Sequence, residues 1–202
     1  MARAGLTAQR VTEAAADLAD TVGFENMTVS ALARSFGVKD ASLYSHVRNL
    51  KDLRERVALL AAGELADHIA AAVAGRSGRD AMAAFANAYR EYALAHPGRY
   101  AATQVQLDPA VLAESTAYAR NIELTHAMLR AYDFAEPDLT DAGRLLRSAF
   151  HGYITLEANG GFGHSRDVQA SWGRALDALH FTLEHWRTGC TTDPGGPASG
   201  SA

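Results

Sequence analysis

The stretch Thr28–Leu53 constrains the fold of this chain most strongly. Its sequence, TVSALARSFGVKDASLYSHVRNLKDL, predicts two short helices joined by a tight turn and followed by the start of a third. Thr28 can cap the first helix through its hydroxyl, and Gly37 can end it because glycine adopts a positive φ without penalty. Leu43 and Val47 lie four residues apart on the buried side of the second helix. The stretch therefore predicts a compact helical hairpin.

The second helix of this hairpin carries short or polar residues on its outer side. These are Lys39, Asp40, Ala41, Ser42, Ser45 and His46, with Tyr44 beside them. The major groove of DNA admits a helix with such a face, and in a helix-turn-helix the second helix lies there while the first crosses the backbone. The sequence therefore indicates a DNA-binding helix, although its spacing also permits a solvated hairpin in an all-α protein.

Charge is distributed unevenly along the chain. The 202 residues carry a net charge of −4. Residues 1–60 contain eight Lys and Arg against seven Asp and Glu, whereas the remainder contains eleven against sixteen. Only the docking face has to be positive for contact with phosphates, so this distribution permits a nucleic-acid partner without requiring one.

The chain contains a single cysteine, Cys190. It excludes an intrachain disulfide and suits a reducing compartment, and no Cys/His cluster has the spacing of a zinc site. No apolar run approaches the roughly 20 residues that span a bilayer, and the N-terminus lacks a signal-peptide pattern. We therefore predict a cytoplasmic protein without a membrane partner, a bound metal or another cofactor.

Helical periodicity continues through the rest of the chain, so the predicted fold class is all-α. A first helix opens at Thr7 and ends at Gly23, and a long fourth helix is capped by Asn49 and runs to about Ala74. The predicted domains are residues 1–55, a three-helix unit, and residues 56–188, a second helical domain that shares the fourth helix. Residues 189–202 are rich in Gly, Pro, Ser and Thr and are predicted to be a disordered tail.

Four further helices are predicted in the second domain. One ends at His96-Pro97-Gly98, and the next opens at Asp108-Pro109 and runs to about Tyr132. A third follows Glu136-Pro137-Asp138, and the last extends from about Asp167 to Thr188.

The last two predicted helices carry more apolar residues than one buried face needs. Such a surface usually meets a partner, and a two-fold copy of the same chain presents the same patch. The alternative is that these helices form the buried centre of a monomer. The residues predicted at a homodimer interface are Leu145, Tyr153, Leu156, Trp172, Leu176, Leu179 and Leu183.

The first four helices resemble the DNA-binding domain of TetR-type bacterial repressors. The pattern TVSALARSFGVxxxSLYxHVRNLxDL, preceded by an Arg-bearing helix, carries this resemblance over residues 7–60. Further along, Phe150-His151-Gly152, Glu157, Gly160-Gly161-Phe162-Gly163 and Trp172 resemble the C-terminal domain of a subgroup named for a Trp-His-Gly motif, with Phe150 in place of Trp. The resemblance implies a helix-turn-helix domain joined by a long fourth helix to a helical domain for effector binding and dimerisation.

The resemblance also implies a double-stranded DNA operator as partner. The predicted DNA contacts are Arg10, Thr28, Lys39, Ala41, Ser42, Tyr44, His46, Arg48 and Lys51. Among these, Lys39, Ser42 and His46 are the candidates for reading bases, and Tyr44 for a phosphate. Leu50 stands where many members of the family have a phosphate-binding Lys, so Arg48 and Lys51 are alternatives for that contact.

Regulators of this kind usually bind a small-molecule effector in the second domain. Tyr and His on otherwise apolar helices combine an apolar body with a hydrogen-bonding tip, which suits a pocket, although each can also be a satisfied core residue. The candidate ligand-binding residues are Tyr89, Tyr92, His96, Gln104, Tyr118, His126 and His151.

The predicted function is therefore a ligand-responsive transcriptional regulator, by resemblance a repressor that releases a palindromic operator. One alternative is a helical adaptor that binds another protein. Another is a metal-dependent enzyme, because Glu123 and His126 form one Glu-x-x-His pair. Helical di-metal sites use two such pairs, and the chain has no Gly-rich phosphate loop, nucleophile elbow or P-loop lysine, so catalysis is not expected.

Overall fold

The computed structural model describes residues 6–186, in which every regular element is helical. Its α-helices are α1 Ala8–Val22, α2 Val29–Phe36, α3 Asp40–Leu43, α4 Leu50–Val73, α5 Gly78–Ala95, α6 Pro97–Thr103, α7 Pro109–Glu114, α8 Thr116–Leu129, α9 Asp138–Ala158 and α10 Val168–Glu184. The all-α prediction is confirmed for this range. The predicted tail, residues 189–202 with Cys190, lies outside the described residues.

Side-chain caps confirm the predicted starts of the N-terminal helices. The hydroxyls of Thr7 and Thr28 accept hydrogen bonds from backbone N–H groups three residues onward, at 3.2 and 3.1 Å. The carboxamide oxygen of Asn49 does the same at the start of α4, at 2.8 Å. Gly37 ends α2 in the left-handed region with φ 64°. The boundaries of α1, α2 and α4 thus follow from local chemistry.

The N-terminal core forms where α1, α2, α3 and the start of α4 meet. Its largest buried side chains are Met27, Leu32, Leu43 and Leu53, all fully buried. Ala33 is also fully buried. Ala102 of α6 belongs to the same cluster, so the second half of the chain also contributes to this core.

The long helix α4 belongs to two cores. At 1.5 Å per residue its 24 residues span about 36 Å. Leu53 and Val57 pack in the N-terminal core, whereas Leu65 and Ile69 pack in the C-terminal one. The largest buried side chains of the C-terminal core are Ile69, Met82, Leu129, Leu146, Phe150, Ile154, Trp172 and Leu183. One continuous helix therefore contacts both halves of the molecule.

The structure corrects two predictions about the second half. The single helix predicted from Asp108 to Tyr132 is wrong, because Ser115 is extended and separates α7 from α8. Its hydroxyl accepts a hydrogen bond from the N–H of Tyr118 at 3.3 Å, so a serine that looks like a helix interior residue is an N-cap. In addition, the sequence predicts only that a helix ends at His96-Pro97-Gly98. In the structure α5 ends there and a further helix, α6, begins at Pro97.

Within residues 6–186, no helix combines the length and the apolar character needed to cross a membrane.

Candidate functional site

The hairpin of α2 and α3 is held by a few local contacts. Fully buried Leu43 and nearly buried Val47 anchor the second helix in the core. The N–H groups of His46 and Val47 donate to the carbonyl of Leu43 at 2.8 and 3.0 Å, which continues the helical turn beyond α3. The hydroxyl of Ser30 donates to the carboxylate of Asp40 and joins the starts of α2 and α3.

The outer side of this hairpin carries most of the predicted DNA contacts. Lys39, Ala41 and Ser42 are exposed, and the side chain of Tyr44 is 53% exposed. His46 is only half-buried. We name these five residues the reading face. Arg10 and Thr28 are also exposed, in the first turn of α1 and at the N-cap of α2, where the Thr28 hydroxyl is used in capping.

Buried Asp52 organises the junction between the hairpin and α4. Its carboxylate accepts hydrogen bonds from the backbone N–H and the guanidinium Nη2 of Arg48, both at 3.0 Å, and lies 2.9 Å from Nη2 of Arg56. Burial raises the pKa of Asp52, but the hydrogen bonds from Arg48 and the charges of Arg56 and Arg48 outweigh burial and lower it below its ordinary value of 3.8. Arg56 also donates to the carbonyl of His46 at 3.0 Å, which fixes the end of the reading face.

The two candidates for a phosphate contact differ in their partners. Arg48 is 79% exposed, but its guanidinium is held by Asp52 through two hydrogen bonds. Lys51 is 78% exposed and lies 3.5 Å from Glu55, a weak surface pair. Lys51 is therefore the easier of the two to redirect toward another anion.

A cavity of about 460 Å³ lies between α4, α5, α6, α8 and α9. We name it the effector cavity. Its apolar lining consists mainly of Leu65, Phe85, Met128, Leu139, Leu146 and Phe150. Its polar lining consists of Tyr89, Thr103, Gln104, Tyr118, Asn121, Thr125, His126, Thr140, Arg144 and Arg147. An apolar body with a few convergent polar groups is typical of small-molecule sites of roughly 300–1,000 Å³.

A second and larger hollow, of about 640 Å³, lies beside the start of α4 and the chain segment 105–109. Two ion pairs lie in its lining, Arg54 with Glu25 at 3.7 Å and Lys51 with Glu55 at 3.5 Å. The effector cavity is the better candidate because it combines buried apolar side chains with a few convergent polar groups.

Four of the seven predicted ligand-binding residues line the effector cavity, namely Tyr89, Gln104, Tyr118 and His126. The hydroxyl of Tyr118 is buried and has no hydrogen-bond partner within residues 6–186. Burial raises the pKa of this hydroxyl, and the charge of Arg147 opposes the rise. A buried donor without a partner is costly, so a ligand that accepts from Tyr118 would gain from it.

The other three predicted ligand-binding residues are committed elsewhere. The hydroxyl of Tyr92 donates to Glu64 at 2.9 Å, and burial, together with Glu64, raises its pKa. His151 lies behind the cavity, with Nδ1 2.7 Å from the hydroxyl of Tyr100. His96 lies at the contact between α1 and α6, with Nδ1 3.1 Å from the carboxylate of Asp20.

Several cavity residues escaped the sequence analysis. Asn121 and Thr125 lie three and seven residues after Tyr118, so helical periodicity alone could have placed them on the same face. Arg144 and Arg147 line the cavity although both are exposed, and no apolar pattern distinguishes them from solvated arginines.

The contact between α1 and α6 is the closest backbone approach made by a glycine of the described chain. A Cβ atom added to Gly98 would lie 2.1 Å from the carbonyl carbon and oxygen of Ala19. Beside it, the carboxylate of Asp20 accepts a hydrogen bond from the backbone N–H of Arg99 at 2.8 Å and a second one from Nη1 of its guanidinium. Arg99 also donates to Asp17 at 2.6 Å. This contact joins the N-terminal unit directly to a helix whose far end, at Thr103, lines the cavity.

The structure corrects three of the seven residues predicted at a homodimer interface. Trp172, Leu176 and Leu183 are 1%, 4% and 2% exposed and pack in the chain's own C-terminal core. They are therefore not available to a second copy. Leu156 is 50% exposed, whereas Leu145, Tyr153 and Leu179 are half-buried. Phe181 of α10, which the sequence analysis missed, is 60% exposed.

The one Glu-x-x-His pair of the sequence analysis, Glu123 and His126, lies exposed on α8. The described part of the chain contains no group of three or more His, Cys, Asp or Glu residues that could hold a metal ion.

Sequence comparisons identify relatives of both halves. Residues 11–57 match the family described as "Bacterial regulatory proteins, tetR family", and residues 82–179 match "Tetracyclin repressor-like, C-terminal domain". The uncharacterised HTH-type transcriptional regulator Rv0681 of Mycobacterium tuberculosis is 35% identical over 161 residues, which cover 78% of this chain and 72% of that protein. The uncharacterised HTH-type transcriptional regulator YobS of Bacillus subtilis is 29% identical over 187 residues, covering 93% and 94%.

The fold is similar to solved structures at lower identity. A protein of unknown function from Rhodococcus sp. RHA1 has a TM-score of 0.74 at 24% identity, covering 90% of this chain and 97% of that one. The TetR family transcriptional regulator PfmR from Thermus thermophilus has a TM-score of 0.62 at 22% identity, with the same coverage. The likeness to the Trp-His-Gly subgroup stays a prediction. Together, the two family matches and the mycobacterial relative show that this chain belongs to the tetR family of bacterial regulatory proteins.

Proposed function

We propose that this transcriptional regulator binds a palindromic operator as a homodimer and releases it when a small molecule fills the effector cavity. The observation that carries the proposal is the reading face, four of whose five residues are exposed and which is anchored from beneath by Leu43. The second helix of a helix-turn-helix lies in the major groove. Each subunit would offer one such helix to a half-site, with the half-sites about 34–36 Å apart or a multiple of that distance.

The exposed residues of the reading face suit different parts of the operator. Lys39 and Ser42 are assigned to base edges, and Ala41 to a thymine methyl group. Tyr44 is assigned to a phosphate, since a contact there positions the helix without reading sequence. His46 keeps a base contact at the end of the face, where Arg56 holds its carbonyl.

Phosphate contacts beside the reading face are assigned to Arg10, Thr28 and Lys51. Lys51 is preferred to Arg48 because Arg48 is held by Asp52. Lys51 also lies in the first turn of α4, where the helix dipole favours an anion.

The proposed dimer uses the exposed side of α9 and α10. Leu156 and Phe181 are the most exposed large apolar residues there. Gly152 and Gly173 lie on the same two helices, and a Cβ atom added to either would meet no described atom within 4 Å. Small residues beside exposed apolar ones allow two helices of a partner to approach closely, which supports a four-helix contact between subunits.

Two connections could carry the effect of a ligand to the operator. The cavity is lined by Ala62 and Leu65 of α4, the helix that also packs in the N-terminal core. It is also lined by Thr103 of α6, the helix that contacts α1 through Gly98. A ligand changes DNA binding only if it prefers one arrangement of these helices over the other, and tight binding to both would shift nothing.

The names of the relatives are those of transcriptional regulators, which supports a role without catalysis. A DNA partner in turn suits a cytoplasmic protein.

Repression is the simplest outcome, since a dimer bound near a promoter obstructs polymerase. Run-off transcription from a promoter that carries the selected site should fall when the protein is added, and a rise would indicate an activator.

The proposal is tested by selecting bound DNA from a random pool with the full chain. We expect enrichment of a palindrome, because only a two-fold dimer reads both halves. Tyr44→Ala and His46→Ala should each lower the affinity for the operator, measured by gel retardation, at least about tenfold. A tenfold loss corresponds to roughly 1.4 kcal/mol of binding free energy.

His68→Ala is the matched control, because His68 is an exposed histidine of α4 away from the reading face. It should leave retardation unchanged. If no DNA is enriched, the function is wrong and the adaptor alternative is favoured. If operator binding survives both changes of the reading face, the assignment of α3 to the groove is wrong.

A further inference from the structure

We propose that the effector cavity selects amphipathic molecules with a carboxylate head and an apolar body. The inference rests on the proposed function and adds the chemical class of the effector to it. It is carried by the arrangement of charged and apolar groups around the cavity.

The charged groups of the cavity lining are cationic. These groups are Arg144 and Arg147, which lie one turn apart on α9. No aspartate or glutamate belongs to the lining formed by the described residues. The whole chain has a net charge of −4, so the charge of the cavity lining is opposite in sign to that of the whole chain. A concave site lined by one sign of charge concentrates ligands of the other sign.

Both arginines keep donors available for a ligand. Nη2 of Arg147 lies 3.4 Å from the neutral carboxamide oxygen of Gln104. Nη1 of Arg144 lies 3.6 Å from Asp141, and these two side chains are 77% and 55% exposed, so solvent weakens their attraction. A guanidinium has five N–H donors and binds a carboxylate through two parallel hydrogen bonds.

Arg147 acts electrostatically on the hydroxyls of two tyrosines, of which Tyr118 lines the cavity. Arg147 opposes the rise in pKa that burial causes at the hydroxyls of Tyr118 and Tyr100. The Tyr118 hydroxyl is the one polar side-chain atom of the cavity lining that is buried without a hydrogen-bond partner among residues 6–186. A carboxylate oxygen near Arg147 would therefore have a second donor, Tyr118, on the facing helix.

The rest of the lining fits an apolar body. Leu65, Phe85, Met128, Leu146 and Phe150 line the cavity, and all five are buried. A neutral apolar molecule could fill this part but would leave the arginines and Tyr118 without an anion. A small inorganic anion could meet the arginines but would leave the apolar part unfilled. A molecule that combines both features satisfies both parts.

Three molecules with one skeleton test this selectivity: 4-phenylbutyrate, 4-phenyl-1-butanol and 4-phenylbutylamine. In titration calorimetry with the full chain near neutral pH, we expect the carboxylate to bind at least tenfold more tightly than the alcohol or the amine. Decanoate, 1-decanol and decylamine repeat the test with an unbranched chain. The inference is overturned if the alcohol or amine binds as tightly as the acid in both series, or if no member of either series binds.

Arg144→Gln combined with Arg147→Gln should weaken binding of the preferred acid at least tenfold and change binding of the matching alcohol less than twofold. Arg174→Gln is the control, because it removes an exposed arginine of α10 outside the cavity lining. It should change neither affinity by more than twofold. Equal losses for acid and alcohol in the double variant would contradict an anion contact.

Operator retardation without added ligand separates the two possible failures. If the wild-type chain retards operator DNA but shows no preference for the acid, the carboxylate inference fails and the regulatory function stands. If the acid binds selectively but no DNA is retarded, the regulatory function fails and the inference about the cavity stands.

Discussion

The reading face and the effector cavity satisfy their polar groups in opposite ways. The hydrogen bonds that hold the reading face join residues no more than ten positions apart, such as Ser30 with Asp40 and His46 with Arg56. The cavity depends on partners far apart in sequence, such as Asn121 with Ala62 at 2.8 Å. It also contains the unpartnered hydroxyl of Tyr118.

This difference separates a preformed surface from a site that is incomplete without its ligand. The reading face needs only its own caps, its ion pairs and a small core to hold its shape. The cavity exists once five helices have packed, and it retains unused hydrogen-bonding capacity. In the cavity, substitutions that raise the stability of the protein are expected to weaken ligand binding, whereas no such opposition is expected between stability and DNA binding at the reading face.

Gly98 lies where α6, whose far end lines the cavity, contacts α1 of the N-terminal unit, and its replacement is expected to have the largest effect. Gly98→Ala would place a Cβ atom 2.1 Å from backbone atoms of Ala19, which cannot rotate away. We expect the free energy of unfolding to fall by about 3 kcal/mol or more, the upper part of the range for overpacked sites. Urea denaturation followed by circular dichroism measures it.

The control is Gly63→Ala in α4, where the added atom would lie 3.9 Å from the Cβ of Ala117. This change should raise the free energy of unfolding by up to about 1 kcal/mol, because alanine favours a helix over glycine. Equal stabilities for the two variants would show that the N-terminal unit and α6 are not in direct backbone contact.

Asp52→Asn tests the local network of the reading face. The variant loses a buried carboxylate bonded to Arg48 and Arg56, and we expect the free energy of unfolding at pH 7 to fall by about 1–3 kcal/mol. The pKa of Asp52 is lowered in the folded state, so its ionised form stabilises the protein above the ordinary value of 3.8. The difference between wild type and variant should therefore shrink as the pH falls below 3.8.

Asp67→Asn provides the comparison, because Asp67 forms an exposed ion pair with Arg120. It should change the free energy of unfolding by less than about 1 kcal/mol at any pH. A pH-independent gap between wild type and Asp52→Asn would show that the carboxylate charge does not hold the reading face.

Tyr118→Phe is expected to have the smallest effect on stability. The hydroxyl it removes is buried without a partner, so the free energy of unfolding should stay constant or rise by no more than about 1 kcal/mol. Tyr92→Phe, which removes a hydroxyl bonded to Glu64, should instead lower it by about 1 kcal/mol. Thermal denaturation of the pair measures the contrast, and a larger loss for Tyr118→Phe would show that its hydroxyl is satisfied in the folded chain.

The same contrast explains how much of the molecule could be predicted from sequence. Thr7, Thr28 and Asn49 cap their helices as predicted, because a cap depends on residues within one turn. The break at Ser115 was missed, since a serine inside an apolar period gives the same pattern whether it caps a helix or lies within one.

The effector cavity was only partly predictable because its residues are brought together by tertiary packing. Tyr118 and His126 were found from their amphipathic character, but the same reasoning also selected Tyr92 and His96, which bind neighbouring helices. The prediction of Trp172 as an interface residue is wrong, because an apolar stripe does not indicate which side of a helix another helix of the same chain will cover.

The glycine at position 98 has a mechanical consequence. Where side chains separate two helices, their rotamers can absorb a small displacement of one helix before the other moves. No side chain of Gly98 separates α6 from Ala19, so no change of rotamer at this position can absorb a displacement of α6. The seven-residue α6 is only about 10 Å long, so we expect a displacement of its Thr103 end by a bound ligand to displace α1 as well.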